Sequence, residues 1–111
     1  MSRNDYLGEF EQIVLLTVAR LGDEGYGMAI RQEIEDRVQR SVAIGSVYAA
    51  LDRMERKGLL RSGVGDPTPV RGGRAKRFYS LLPPGMEALQ RSRALLDGLW
   101  KGLELDPERT A

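Results

Sequence analysis

Apolar positions recur along this chain with helical spacing in four segments, and two short stretches near residue 60 and residue 78 read as extended. Residues 7–21 (LGEFEQIVLLTVARL) carry apolar or methyl-bearing side chains at Leu7, Phe10, Ile13, Val14, Leu16, Thr17, Val18 and Leu21. That is too many for one narrow stripe, and it predicts a helix buried on two sides. A central core helix of a monomer is the alternative reading. Gly22 and Gly25 mark the turn that follows. Residues 27–38 read as an ordinary amphipathic helix, with Met28, Ile30, Ile34 and Val38 apolar and Arg31, Glu33, Glu35, Asp36 and Arg37 on a solvated face. An extended link at 41–43 leads to a third helix beginning at Ile44, where Ile44, Val47, Leu51 and Met54 form the buried stripe. Gly45, Ser46, Ala49, Arg53 and Arg56 fall on its other side, and Gly58 is placed to end it as a C-terminal cap.

Two extended stretches follow, 59–64 and 75–82, with Phe78 and Leu60 expected to face the core. The loop between them holds Pro67 and Pro69, which stiffen it, and Gly72-Gly73, which permits a positive φ or a close backbone approach. The pattern predicts a hairpin with a long loop. Pro83-Pro84-Gly85 then opens a last helix from Met86 to Leu103. Met86, Leu89, Leu96, Leu99, Trp100 and Leu103 form its stripe, and Leu89, Leu96 and Leu103 stand seven apart, the spacing of a helix that packs on a partner helix. Gly98 and Gly102 either allow close helix approach or mark fraying, since each costs about 1 kcal/mol against alanine inside a helix. Residues 104–111 read as a disordered acidic tail.

With 111 residues the chain reads as one compact unit for which a partner subunit would add useful burial. It has no cysteine and no histidine, which removes disulfides, thiolate metal sites, and the commonest general base and neutral metal ligand. No cofactor is expected, and no nucleophile, base and oxyanion constellation can be assembled, so an enzyme is the last reading. No apolar run approaches the roughly 20 residues of a membrane span, and the first residues lack the apolar core of a signal peptide, so the expected location is cytoplasmic. The net charge is only +1, yet residues 53–77 carry eight basic against two acidic side chains. The positive charge is therefore gathered on the third helix and the hairpin.

Small residues where a helix backbone approaches base edges, cations where phosphates flank the groove, and a basic glycine-bearing hairpin together resemble a DNA-reading helix with a wing. The string Gly45-Ser46-Val47-Tyr48, Leu51, Arg53-Met54-Glu55, Gly58-Leu59-Leu60, followed by Gly72-Gly73-Arg74, Tyr79 and Gly85, resembles the PadR family of bacterial winged-helix transcription regulators. Tyr26-Gly27 and the Ile/Val/Leu-rich first helix fit the same family, and the likeness covers about residues 5–103. It implies a mainly α fold with a small β-hairpin: a winged helix-turn-helix over 5–82, and a C-terminal dimerisation helix over 83–103, as in the short members. Ala43 and Leu82 depart from the family, because capping side chains are expected at both places. A lost cap costs about 1 kcal/mol, and Ser41 or Ser46 is the substitute to look for at the third helix.

The expected partners are double-stranded operator DNA and a second copy of the chain. Gly45, Ser46 and Ala49 would bring the third helix into the major groove, while Arg53 and Arg56 would reach phosphates. Arg31 is a further phosphate candidate, against the plainer reading of a solvated arginine. Tyr48 could bond a phosphate through its hydroxyl or brace the wing with its ring, and Asp52 would repel phosphate unless an arginine pairs with it. Arg71, Gly72, Gly73, Arg74 and Lys76 are the wing candidates, with Lys76 and Arg77 on opposite sides of the strand. The dimer candidates are Phe10, Val14, Met86, Leu89, Leu96, Leu99, Trp100 and Leu103. Some short family members hold flat aromatic drugs between the dimer halves, so Leu96 and Trp100 are the candidate effector residues, with simple interface packing the alternative for Trp100. The expected function is a homodimeric repressor with a planar aromatic effector as a candidate ligand. The rivals are a winged-helix protein-interaction module, which needs no basic wing, and a small-molecule sensor without a primary DNA role.

Overall fold

The computed structural model describes residues 6–65 and 76–108. Within them the chain runs α1 (Glu9–Leu21), a short 3-10 turn (Gly22–Glu24), α2 (Gly27–Val38), α3 (Ile44–Arg56), β1 (Leu60–Val64), β2 (Arg77–Leu81) and α4 (Pro83–Trp100). The boundaries have local causes. Glu11 Oε1 accepts the Gly8 N–H at 3.0 Å, closing the first turn of α1, and Gly22 ends that helix at φ +55°. Neither Ser41 nor Ser46 caps α3, whose N-cap Ala43 supplies only backbone. The other end of α3 is well made: Gly58 stands at φ +77°. There Gly58 N–H donates to the Glu55 carbonyl and Leu59 N–H to the Met54 carbonyl, each at 3.0 Å. This is a Schellman stop, as the glycine predicts.

Val14, Leu15 and Val18 of α1, Ile30 and Ile34 of α2, and Val47, Ala50, Leu51 and Met54 of α3 make one core with Val42, Leu60 and Tyr79. Met28 and Val38, expected on the apolar side of α2, are exposed, so that stripe is narrower than its periodicity suggests. Phe78 is not the inward residue of β2; Tyr79 is. The antiparallel register pairs Leu60 with Leu81 and Ser62 with Tyr79, which puts Tyr79 on the same face as Leu60. Phe78 therefore faces the other way, edge-on to Tyr26 with ring centroids 5.7 Å apart. Tyr26 forms a bridge with Phe78, and Tyr79 N–H donates to the Gly25 carbonyl at 2.8 Å, so the start of α2 is tied to the hairpin.

No side chain caps α4 either, and Pro83 and Pro84 occupy its first positions. Its start is pinned to the joint between α3 and β1: Leu82 N–H donates to the Leu59 carbonyl at 3.0 Å. A methyl on Gly85 would lie 2.4 Å from the Leu59 carbonyl oxygen, so only glycine allows this approach. Gly85, Ala88 and Leu89 pack inward, whereas residues 93–100 are exposed throughout. The helix stops at Trp100, and Gly102 turns away at φ +77°. Leu103 consequently lies beyond the helix and does not continue the leucine stripe. A methyl on Gly98 would meet no atom within 4 Å, so nothing in the described part of this chain approaches the helix there.

Candidate nucleic-acid interface

The outward side of α3 is open along its length, with Gly45, Ser46, Ala49, Asp52, Arg53 and Arg56 all exposed. A methyl on Gly45 would meet nothing within 4 Å. Near its N-terminus the helix thus offers bare backbone to whatever approaches. At its other end Arg56 Nη1 lies 3.4 Å from Asp52 one turn earlier, so the one carboxylate on this face is paired. Arg53 and Lys57 stand on the flank facing α1, where Glu11 Oε2 lies 3.5 Å from Arg53 Nε and 3.4 Å from Lys57 Nζ.

Two contacts set the angle of α3. Arg31 Nε donates to the Val42 carbonyl at 3.0 Å, and Glu35, 3.7 Å from Arg31, accepts the Val42 N–H at 3.1 Å. The Arg31–Glu35 pair grips Val42, two residues before α3, so Arg31 is built into the link rather than standing free on the surface of α2. Tyr48, 44% exposed, rests on the first turn of α2: a methyl on Gly27 would lie 2.3 Å from its hydroxyl oxygen. Its ring braces the start of α2. This explains why Gly27 belongs with Tyr48, a pairing that no local spacing reveals.

The base of the wing is fastened to α3 by Ser62, whose hydroxyl donates to Glu55 Oε2 at 2.7 Å and accepts from Arg77 Nη1 at 2.9 Å. Lys76 Nζ sits 4.1 Å from the centre of the Tyr26 ring, within cation–π range. Arg77 and Lys76 are thus each engaged at the wing base, on opposite sides of β2. Arg71, Gly72, Gly73 and Arg74, the expected wing tip, lie outside the described residues. Burial pushes the pKa of the Tyr79 hydroxyl above its ordinary value.

Glu11 was not among the residues that sequence reasoning singled out. Burial acts to raise its carboxyl pKa, but the Gly8 N–H bond, the charge of Lys57 and the hydrogen bonds from Lys57 and Arg53 outweigh it and hold the group below the usual glutamate range. A carboxyl lowered on folding adds stability that is complete above the ordinary range and is lost as pH falls through the lowered value. We expect Glu11→Gln to melt earlier than wild type near neutrality and to converge on it in acid. Paired thermal melts across the acid range check this, and a difference independent of pH would sink it.

A second concave surface lies between α1 and α4. The cleft, of about 560 Å³, is floored by Leu16, Met86, Leu89, Leu96 and Trp100 and rimmed by Gln12, Gln90, Arg93 and Asp97. Trp100 is 55% exposed and Leu95 and Leu99 stand out beside it. The expected dimer residues divide here. Met86, Leu89, Leu96 and Trp100 line the cleft and Leu99 is exposed nearby, but Val14 is 0% exposed within the core and cannot meet a partner. Phe10 is partly buried and borders a separate small recess with Ser41, Val42, Ala43 and Ser46. Leu16 and Gln12 had no place in the expected site, because only the crossing of α4 over α1 gives them one.

Three helices, a hairpin tied to the second and third of them, and an open basic-ended third helix define a winged helix-turn-helix protein. The chain belongs to the transcriptional regulator PadR-like family, whose match spans residues 15–91. Members of this family are transcription regulators that bind DNA, not enzymes. Among solved structures, a PadR family transcription regulator from Clostridium difficile is 30% identical with TM-score 0.61, covering 80% of this chain and 91% of that one. A PadR family transcriptional regulator from Eggerthella lenta is 25% identical with TM-score 0.62, covering 88% of each chain. A PadR-like transcription factor from Bacteroides fragilis shares the fold at TM-score 0.69 and 24% identity, covering 83% of this chain and 84% of that one. No curated protein matches the chain. Among the described residues there is no helix long and apolar enough to cross a membrane and no acidic cluster suited to a metal ion.

Proposed function

We propose that the chain is a repressor that binds operator DNA as a homodimer and blocks transcription by occupancy. The observation that carries this reading is the open face of α3, bare at Gly45, Ser46 and Ala49 and cationic at Arg53 and Arg56. Bare backbone admits the helix to the major groove, and the cations meet the phosphates at its edge. Arg71 and Arg74 of the wing supply the neighbouring backbone or minor-groove contact. The apolar outer half of α4, with Leu96, Leu99 and Trp100 uncovered, supports pairing with a second copy. Such a dimer sets two copies of α3 in successive major grooves roughly 34 Å apart. A planar aromatic effector seated in the cleft against Trp100 would act by changing that spacing or angle.

Anisotropy on labelled DNA from upstream of the protein's own gene, against a scrambled duplex, tests the reading. If each subunit neutralises about 4 phosphates, the dimer's affinity falls with a log–log salt slope on the order of −7 between about 50 and about 300 mM salt. The Arg53→Ala/Arg71→Ala/Arg74→Ala variant should bind weakly with a much shallower slope. Unchanged affinity in that variant, or equal weak binding to both duplexes, would refute it.

A further inference from the structure

The two cations on the α1-facing flank of α3 share a single carboxylate that comes from a different helix. Glu11 is only 13% exposed on its side chain, and its Oε2 lies within 3.5 Å of both Arg53 and Lys57. Its other oxygen, Oε1, is held by the Gly8 N–H, so the carboxylate cannot turn away from them without opening the first turn of α1. Arg53 and Lys57 are one turn apart and point the same way, which makes this flank the edge of α3 that would lie along a phosphate strand. A fixed anion on that edge lowers the net charge it offers to DNA. Elsewhere on the face the carboxylate of Asp52 is used up by its neighbour Arg56 on the same helix, so it sets no such relation between elements.

We propose that Glu11 is a positioning residue of the DNA-binding surface: it competes with phosphate for Arg53 and Lys57, and so restrains sequence-independent DNA affinity. The proposal rests on the DNA-binding reading of α3. Phosphate attraction raises operator and random-sequence binding alike, whereas the small residues at the start of α3 serve only the former. A carboxylate that subtracts from the first therefore keeps binding dependent on the second.

The test is Glu11→Gln, which removes the charge while glutamine can still accept the Gly8 N–H. Glu9→Gln is the control: it loses the same charge in the same turn, from a residue that is 75% exposed on its side chain and pairs with Arg40 instead. In anisotropy titrations Glu11→Gln should bind both operator and scrambled duplex about 3- to 10-fold more tightly at low salt, with a salt slope steeper by about 0.9 per subunit. Glu9→Gln should move either quantity far less. Lys57→Ala should cost about 3-fold more in the Glu11→Gln background than in the wild-type background, a coupling that mere loss of folded protein would not produce. Equal shifts for the two glutamine variants, or weaker binding by Glu11→Gln with circular dichroism showing it folded, would overturn the inference. If wild type binds neither duplex, the DNA-binding reading itself fails and this inference with it.

Discussion

On the proposed homodimer reading, Leu96→Glu is expected to yield a monomer and to lower operator affinity by at least about 100-fold, because a half-site bound alone forgoes the effective concentration that joins two sites. Leu96 is 49% exposed and sits in the outer half of α4, at the edge of its cleft with α1. In a helix-to-helix interface the new carboxylate would be desolvated without a partner, at a cost of several kcal/mol. On the half-exposed surface of the monomer it costs far less, so the monomer should keep its fold. Leu96→Met, which keeps volume and polarity, should leave both properties nearly intact. Sedimentation equilibrium beside the anisotropy titration reads the two effects. A variant that remains dimeric and binds normally would remove α4 from the interface.

Leu51→Ala is expected to destabilise the protein by about 3 kcal/mol through the cavity it leaves. Leu51 is 0% exposed, in the stripe of α3 that meets α1 and α2. The outward face of α3 keeps its direction only while this inner face holds the helix at its angle. A loss of that size corresponds to a fall in melting temperature on the order of 15 °C for a chain of this length. At a temperature where the variant is still folded, the salt slope of DNA binding should match wild type, because no phosphate contact is touched. A melting point within a few degrees of wild type would mean that the core closes over the gap.

The contrast between these two leucines shows how differently the chain's features can be read. Leu51 belongs to a stripe with Val47 and Met54 whose inward direction follows from helical spacing alone. Leu96 belongs to a stripe just as regular, yet its helix stands mostly uncovered, and spacing cannot say whether the partner is the same chain or another. Phe78 and Tyr79 make the same point for the hairpin. Both are aromatic and adjacent, and only the register with β1 decides which one is buried.

The order of elements, the start of α3 at Ile44, its stop at Gly58 and the small-to-basic run along its outer side were all legible in the amino-acid sequence, because helical periodicity, caps and turns depend on residues within a few positions of each other. The likeness to a DNA-binding family was legible for the same reason, since its motif is a local string. Contacts between distant segments were not. Glu11 meets Arg53 and Lys57 across separations of 42 and 46 residues, and Arg31 reaches Val42 from another helix. Val14 was expected at an interface and is buried, because which side of a two-sided helix faces its own core depends on how α2 and α3 cross it. Tertiary structure alone decided these assignments: a side chain's periodicity states which face it occupies, and only the packing of other helices states what that face meets.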